Sequence, residues 1–358
     1  MSLDPESSEQ SAPAVATLVD VARAARVSVS TASRAINGRP YVSAPIRAQV
    51  LEAARRLHFQ PSSLARGFRA QRTMTIGMVV PDISSPFYAA ALRGAQNVLR
   101  AHGYTVLVCE TEERADRENE ALLLLAGQRV AGLILAPVGG GQAGLRRLLD
   151  QRPIALVAID NRLQGYEADT VVLDNRRGAA ALAGHLASHG HRRIAHLTGI
   201  LNESSALDRL AGYRDALDQA GLPFRPELVL EGDWTEQSGC SQTIKLLDLA
   251  EPPTALLAAS SQMMVGTLLA LKARGIVVPE SMALACFDDT PWAPVTEPAL
   301  TTLSRCDYAL GTAAAELIVA QLSTEPGRPR CERILPLELV RRRSCGCLAP
   351  VSQETSRR

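Results

Sequence analysis

The stretch TLVDVARAARVSVSTASRAIN, residues 17–37, holds two short helical patterns separated by a tight turn. Leu18, Val21, Ala22 and Ala25 fall at i, i+3, i+4 and i+7, one apolar face of a helix, with Asp20 and Arg23 on the other face. After a turn at Arg26-Val27, Ser28 is suited to cap a second helix over Val29–Asn37 with Ala32 and Ile36 inward, and Asn37-Gly38 stops it. Such a pair, the second helix laid in a major groove with its first turn facing base edges, is the helix-turn-helix arrangement. An ordinary helical hairpin at the edge of a core has the same apolar pattern, so charge has to separate the two.

Between Thr17 and Arg72 there are ten arginines and only two carboxylates, Asp20 and Glu52, whereas the whole 358-residue chain carries a net charge of +1. A solvated charged face mixes both signs. A small, nearly acid-free arginine module instead suits a duplex, whose condensed counterions are released when arginines replace them. A third helix fits Ala44–His58, capped by Ser43 with Pro45 in its first turn and with Ile46, Val50, Ala54 and Leu57 on one side. Pro61 then breaks the chain. The basic segment SSLARGFRAQR, residues 62–72, follows with Gly67 inside it, and by itself reads as a linker.

From Thr75 onward, apolar runs (TIGMVV, TVLVC, GLILA, IALVAI, ADTVVL, RIAHL, ALLAA, MALACF) alternate with amphipathic stretches. That alternation predicts parallel sheets flanked by helices. Roughly 280 residues is large for a single open sheet.

Several fragments occur in one order: the opening block, the PSSLARGFR segment, TIGMVVPDISSPFYAAALRGAQ, GHRRIAHLTG, RLAGYRDAL, CFDD and PALTTL. In that order the chain resembles the lactose/galactose-repressor (LacI/GalR) family of bacterial transcription regulators, from Thr17 to about Gly346. Periplasmic sugar-binding proteins share only the later part. The resemblance implies an all-α helix-turn-helix head, a hinge, and a two-subdomain periplasmic-binding-protein-like α/β domain with parallel sheets. The boundaries expected are 1–16, a disordered tail; 17–61, the head; 62–72, a hinge helix; 73–346, the effector-binding and dimerisation domain; and 347–358, a second disordered tail. Subdomain one would take about 73–173 and 303–332, and subdomain two about 174–302 and 333–346, with crossings near Asp174, Thr302 and Arg333.

On DNA the resemblance assigns Val29, Ser30 and Arg34 to base contacts. Arg34 is placed to pair bidentately with guanine, Val29 to touch a thymine methyl. It assigns Thr17, Ser28, Thr31, Ser33 and Asn37 to capping or phosphate contacts, which orient without specifying sequence. In the hinge, Ala65 and Phe68 would enter the minor groove, Phe68 standing where the family has a leucine wedge. Arg26 occupies a turn position where the family commonly has glycine, so a positive φ there would strain it.

Ligands of open α/β sheets bind beyond the carboxyl ends of strands, and a cleft between two subdomains brings two such edges together. The loops that fall there are 82–88, 160–162, 202–209, 232–234, 260–261, 288–289 and 304–306. By resemblance the effector-binding residues are Ser85, Phe87, Tyr88, Asp160, Arg209, Trp234, Ser260, Asp288 and Arg305. Ser85 stands where the family often has asparagine, Ser260-Ser261 where it often has Asn-Asp, and Arg305 where it often has glutamine. Losing a carboxylate and gaining an arginine predicts a more electropositive pocket, suited to a carboxylate- or phosphate-bearing ligand such as a sugar acid.

The remaining clusters read as structural. His185, His189 and His191 have metal-like spacing, but GHRRIAHLTG fits a helix-ending glycine followed by a strand, and no metal is expected. Gly139–Gly141 lacks dinucleotide-loop spacing. The seven cysteines form no CxxC pair and point to reduced thiols in a cytoplasm, near the nucleoid for a DNA-binding protein. No catalytic constellation stands out, so neither an enzyme nor a cofactor is expected. The acidic N-terminal segment has no hydrophobic core and no apolar run reaches membrane length. The C-terminal segment lacks leucine heptads, which favours a homodimer over a tetramer. The partners expected are double-stranded operator DNA, a small-molecule effector and a second copy of the chain.

Overall fold

The computed structural model describes residues 16–36, 38, 40–59, 73–139, 143–151, 154–304, 306–323 and 329–346. Asn37, the hinge residues Ala65 and Phe68, Arg305 and both terminal tails lie outside them. The chain divides after Thr73 into two compact units.

The first unit contains α1 (Leu18–Ala24), α2 (Val29–Ile36) and α3 (Ala44–Arg56). A capping box starts α1: the Asp20 amide donates to Thr17 Oγ1 at 3.3 Å, and the Thr17 amide donates to Asp20 Oδ2 at 2.9 Å. Ser28 Oγ accepts from the Thr31 amide at 3.1 Å and so satisfies an orphan donor of α2. The core is Val21, Ala22, Ala25, Ala32, Ala35, Val50 and Ala53. Alanine at most of these positions lets three short helices approach closely. Ile46, expected inward, is 36% exposed, and Ala53 takes its place on the buried side of α3.

In the second unit, sheet one comprises β1 (Thr75–Val80), β2 (Thr105–Glu110), β3 (Gly132–Leu135), β4 (Ala155–Ile159), β5 (Asp169–Leu173) and β11 (Glu332–Leu335), ordered β11-β5-β4-β3-β1-β2. Sheet two comprises β6 (Ile194–Thr198), β7 (Val229–Glu231), β8 (Ala255–Ala258), β9 (Ala283–Cys286), β10 (Thr301–Ser304) and β12 (Glu338–Val340), ordered β12-β10-β9-β8-β6-β7. All pairings are parallel except β10 with β12. The inner strands β3, β4, β8 and β9 are buried throughout, which is why they read as unbroken apolar runs.

Helix pairs cover both faces of each sheet. On sheet one these are α4 (Pro86–Ala101) with α11 (Asp307–Ser323), and α5 (Ala115–Gly127) with α6 (Ala143–Gln151). On sheet two they are α7 (Asn175–Ser188) with α8 (Ser204–Gln219), and α9 (Glu236–Leu247) with α10 (Ser261–Ala273). Backbones touch where α4 crosses α11: a Cβ on Gly311 would lie 1.7 Å from the Ala91 carbonyl oxygen.

Two of the expected crossings move. β10 pairs with β9 as far as Thr302 and with β12 as far as Ser304, so the chain leaves sheet two after Ser304, two residues beyond Thr302. β11 pairs with β5 from Glu332 to Leu335, so the return falls at Pro336-Leu337 rather than at Arg333. In both cases the chain crosses where ladder pairing ends, which a run such as ERILPLELV does not mark on its surface pattern.

Candidate functional site

The head presents a polar face on α2. Val29 is 44% exposed, and Ser30 and Arg34 are exposed, while Ala32 and Ala35 anchor the opposite side. Arg23 is paired with Asp20 at 3.3 Å and Arg55 with Glu52 at 3.1 Å. Arg34 makes no ion pair among the described residues. Thr17 and Ser28 are exposed and serve as caps, and the Ser28 hydroxyl lies 2.9 Å from Ser30 Oγ and 2.8 Å from Thr31 Oγ1. Ser33, expected at the DNA backbone, is 6% exposed and lies on the Ala32-Ala35 side. Helical period places it there, next to the inward alanines.

Arg26 has φ +49°. A side chain in the left-handed region costs about 1 kcal/mol that glycine avoids, partly offset by glycine's larger unfolded entropy. Arg26→Gly is therefore expected to stabilise the head by about 0.5 kcal/mol in urea melts. A destabilisation would show that the Arg26 side chain outweighs the backbone strain.

In the second unit, loops at the carboxyl ends of both sheets meet in a cavity of about 70 Å³ lined by Asp82, Ser85, Phe87, Tyr88, Glu113, Asp160, Glu203, Ser205, Arg209, Trp234, Ser260, Ser261, Gln262 and Asp288. Eight of the nine expected effector residues line it together; the ninth, Arg305, lies outside the described residues. The cleft is narrow but reaches solvent, with Asp82, Ser85, Ser260, Ser261 and Gln262 half-buried in its lining. The Gln262 amide spans it, donating to Asp82 Oδ2 at 2.8 Å. A larger depression of about 470 Å³ beside β2 and α5 is open surface, and its Arg114 is already paired with Asp116 and its Arg117 with Glu112.

Within the cleft, Tyr88 Oη donates to Asp160 Oδ2 at 2.8 Å, while Asp160 Oδ1 is buried without a hydrogen-bond partner. Trp234 Nε1 donates to Glu203 Oε2 at 3.1 Å, and Asn161 Nδ2 donates to the same oxygen at 3.3 Å. Arg209, 4% exposed, donates to Asn175 Oδ1 at 2.9 Å and to the Ala259 carbonyl at 2.6 Å. Its guanidinium lies 3.8 Å from the Phe287 ring centroid and 5.4 Å from that of Trp234. Asp288 Oδ2 accepts from the Ser261 amide at 2.7 Å. Asp160 and Trp234 both have positive φ, +65° and +69°, a strained backbone of the kind that clusters at ligand sites.

Among the described residues this lining is rich in acids, whereas the expected electropositive pocket rested on Arg305, which lies outside them. Among the described residues of the lining, five carboxyl groups (Asp82, Glu113, Asp160, Glu203, Asp288) face one arginine, Arg209. Comparing single positions with the family pattern missed the sum. Glu113 in particular follows the edge strand β2, and only the strand order brings that loop to the cleft.

Burial first, then the Glu203, Asp160 and Asp82 charges, push the Glu113 carboxyl up to about 9. Burial and then Asp160 push Glu203 up to about 7, and burial raises Glu118, behind the cleft, to about 7. Burial and Asp160 also hold the Tyr88 phenol well above its ordinary value. A carboxyl with a raised folded pKa keeps its proton in the folded state. Its stabilising contribution is complete below the ordinary 4.5 and is lost as pH rises through 7 and then 9. Unfolding free energy is expected to fall by about 1–2 kcal/mol between pH 6 and pH 9, the cleft opening to hydrate the charges, and Glu113→Gln to flatten the upper part. Urea melts check this, and stability that rises with pH would contradict it.

At the C-terminal end of α7, ligand atoms of His185, His189 and Cys345 lie within 4.8 Å of one another. His185 Nε2 is 3.2 Å from Cys345 Sγ, which also accepts from Thr301 Oγ1 at 3.1 Å, so the thiol ties the C-terminal segment to α7 and β10. His191, the third histidine of the spacing, instead contacts Thr254 Oγ1 at 3.0 Å.

The model of the lacI family of bacterial regulatory proteins matches residues 17–62, and that of the periplasmic binding protein-like domain matches residues 183–345. The chain is 34% identical over 330 residues to the HTH-type transcriptional regulator GalR of Escherichia coli strain K12, covering 92% of this chain and 96% of that protein. It is 31% identical over 310 residues to catabolite control protein A of Priestia megaterium, covering 86% and 93%. The solved lac repressor dimer bound to operator and the anti-inducer ONPF matches with a TM-score of 0.80 at 27% identity, over 92% of this chain and 99% of that one. The chain belongs to the lacI family of bacterial regulatory proteins, DNA-binding transcriptional regulators that join a helix-turn-helix head to a periplasmic-binding-protein-like domain. Among the described residues no helix is long and apolar enough to cross a membrane.

Proposed function

We propose that the protein is a homodimeric transcriptional repressor, working in the cytoplasm at the nucleoid and without enzymatic activity, that binds a near-palindromic operator and is controlled by a small polar metabolite in the cleft. The observation that carries this reading is the exposed face of α2, where Val29, Ser30 and Arg34 point away from the head's own core and, among the described residues, Arg34 is paired with no acid. In this reading those three contact base edges, while Thr17, Ser28, Thr31 and Asn37 fix the register on phosphates. Ala65 and Phe68 of the two hinges enter the minor groove at the operator centre, Phe68 as the wedge.

The regulatory half rests on the cleft. Phe87, Tyr88 and Trp234 supply apolar faces, and Ser85, Asp160, Arg209, Ser260 and Asp288 supply polar groups that converge on one cavity. A ligand that favours the closed form over the open one shifts the equilibrium between them by its differential affinity. Coupling to DNA is then reciprocal, typically about 1–3 kcal/mol. Protection footprinting of genomic DNA with the purified protein tests the reading: two-fold symmetric footprints are expected, and protection without symmetry would remove the dimeric operator.

A further inference from the structure

We infer that the effector is a cation, a small polar molecule whose protonated amine or guanidine group sits against Asp160 between Glu113 and Glu203, with Tyr88 and Trp234 alongside. This rests on the cleft being the effector site and adds the charge of what it takes.

Three observations carry it. Asp160 is only 8% exposed, one of its oxygens already takes the Tyr88 hydroxyl, and the other is buried in the cleft lining without a partner. A carboxylate oxygen removed from water in this way calls for a donor, and a charged donor forms the stronger bond. Among the described residues the lining also carries five carboxyl groups against Arg209 and includes no lysine. A ligand carboxylate or phosphate would be set beside Asp160, whose like charge repels it in a low-dielectric site, and would oppose ionisation of Glu113 and Glu203. Finally, Tyr88 and Trp234 are each hydrogen-bonded to one of these acids, Asp160 and Glu203 respectively. Both rings line the same cavity, and an aromatic ring beside a bound cation adds to the attraction through its quadrupole.

The groups that face one another here are Asp82, Glu113, Asp160, Glu203, Asp288, Tyr88 and Arg209, with Glu118 behind. Burial and mutual repulsion keep Glu113 protonated near neutral pH. A cation placed among these acids favours their ionised forms, so binding releases a proton to the solvent.

The test is calorimetry on the full-length protein with probe series that differ in charge: glucosamine, glucose and glucuronate; putrescine, 1,4-butanediol and succinate; ethanolamine, ethylene glycol and glycolate. In at least one series the amine is expected to bind about tenfold or more tighter than its neutral counterpart. The heat should depend on buffer ionisation enthalpy in the sense of proton release. Asp160→Asn and Glu113→Gln, both nearly isosteric, should each reduce the preference severalfold with the melting transition kept cooperative. Tighter binding of a neutral or anionic member, equal binding within a series, or no response to any amine overturns the assignment. An amine that binds with these signatures but leaves DNA affinity unchanged would sustain the charge assignment and remove the regulatory reading instead.

Discussion

Arg209→Ala is expected to lower the unfolding free energy of the second unit by about 3–5 kcal/mol, because the side chain is a buried charge held by a dense set of partners. It is 4% exposed, donates to Asn175 Oδ1 and the Ala259 carbonyl, and lies over the Phe287 ring. Truncation leaves two buried acceptors without these donors, each costing about 1–3 kcal/mol, and opens a void between β8 and α8. Arg209→Lys should recover only part of the loss, since a single ammonium cannot span both acceptors with a planar fork. Chemical denaturation monitored by tryptophan fluorescence measures this, with Trp234 placed 5.4 Å from the guanidinium as a local reporter. A loss below about 1 kcal/mol would mean that water reaches the site and takes over both acceptors.

Arg34→Ala is expected to weaken binding to the specific operator by about 1–3 kcal/mol, roughly 5- to 150-fold, while changing affinity for random duplex much less. The reasoning starts from charge bookkeeping inside the head. Arg23 and Arg55 are held by Asp20 and Glu52, whereas Arg34 is exposed on the face of α2 opposite the alanine core and, among the described residues, has no acid paired with it. A guanidinium in that position is available for the paired acceptors of guanine. Competition binding against scrambled duplex separates the outcomes, and equal losses on both duplexes would reassign Arg34 to a phosphate contact.

Much of this architecture is legible in the sequence because its causes are local. The first-turn chemistry of Thr17 and Asp20, the inward alanines of α2 and the unbroken apolar strands all follow from residues within a few positions of one another. Ser33 lies on the buried side of α2, a placement set by helical period rather than by its residue type. Glu113 was missed for a different reason: its place at the cleft depends on β2 lying beside β1 in the sheet, a long-range pairing that no local pattern encodes. The electrostatic sign of the cleft is also a property of the assembled loops, since Asp82, Glu113, Asp160, Glu203 and Asp288 come from five separate segments. The contact of His185 with Cys345 bridges 160 residues and is equally invisible before folding.

The central claim is that a dimer reads a two-fold DNA site through α2. The most direct test is the affinity of the full-length protein for a footprinted site, compared at one salt concentration with the same duplex in which one half-site is scrambled. The account predicts tighter binding to the intact site by about 10³-fold or more, at two protomers per duplex. Equal affinity for the two duplexes would contradict it.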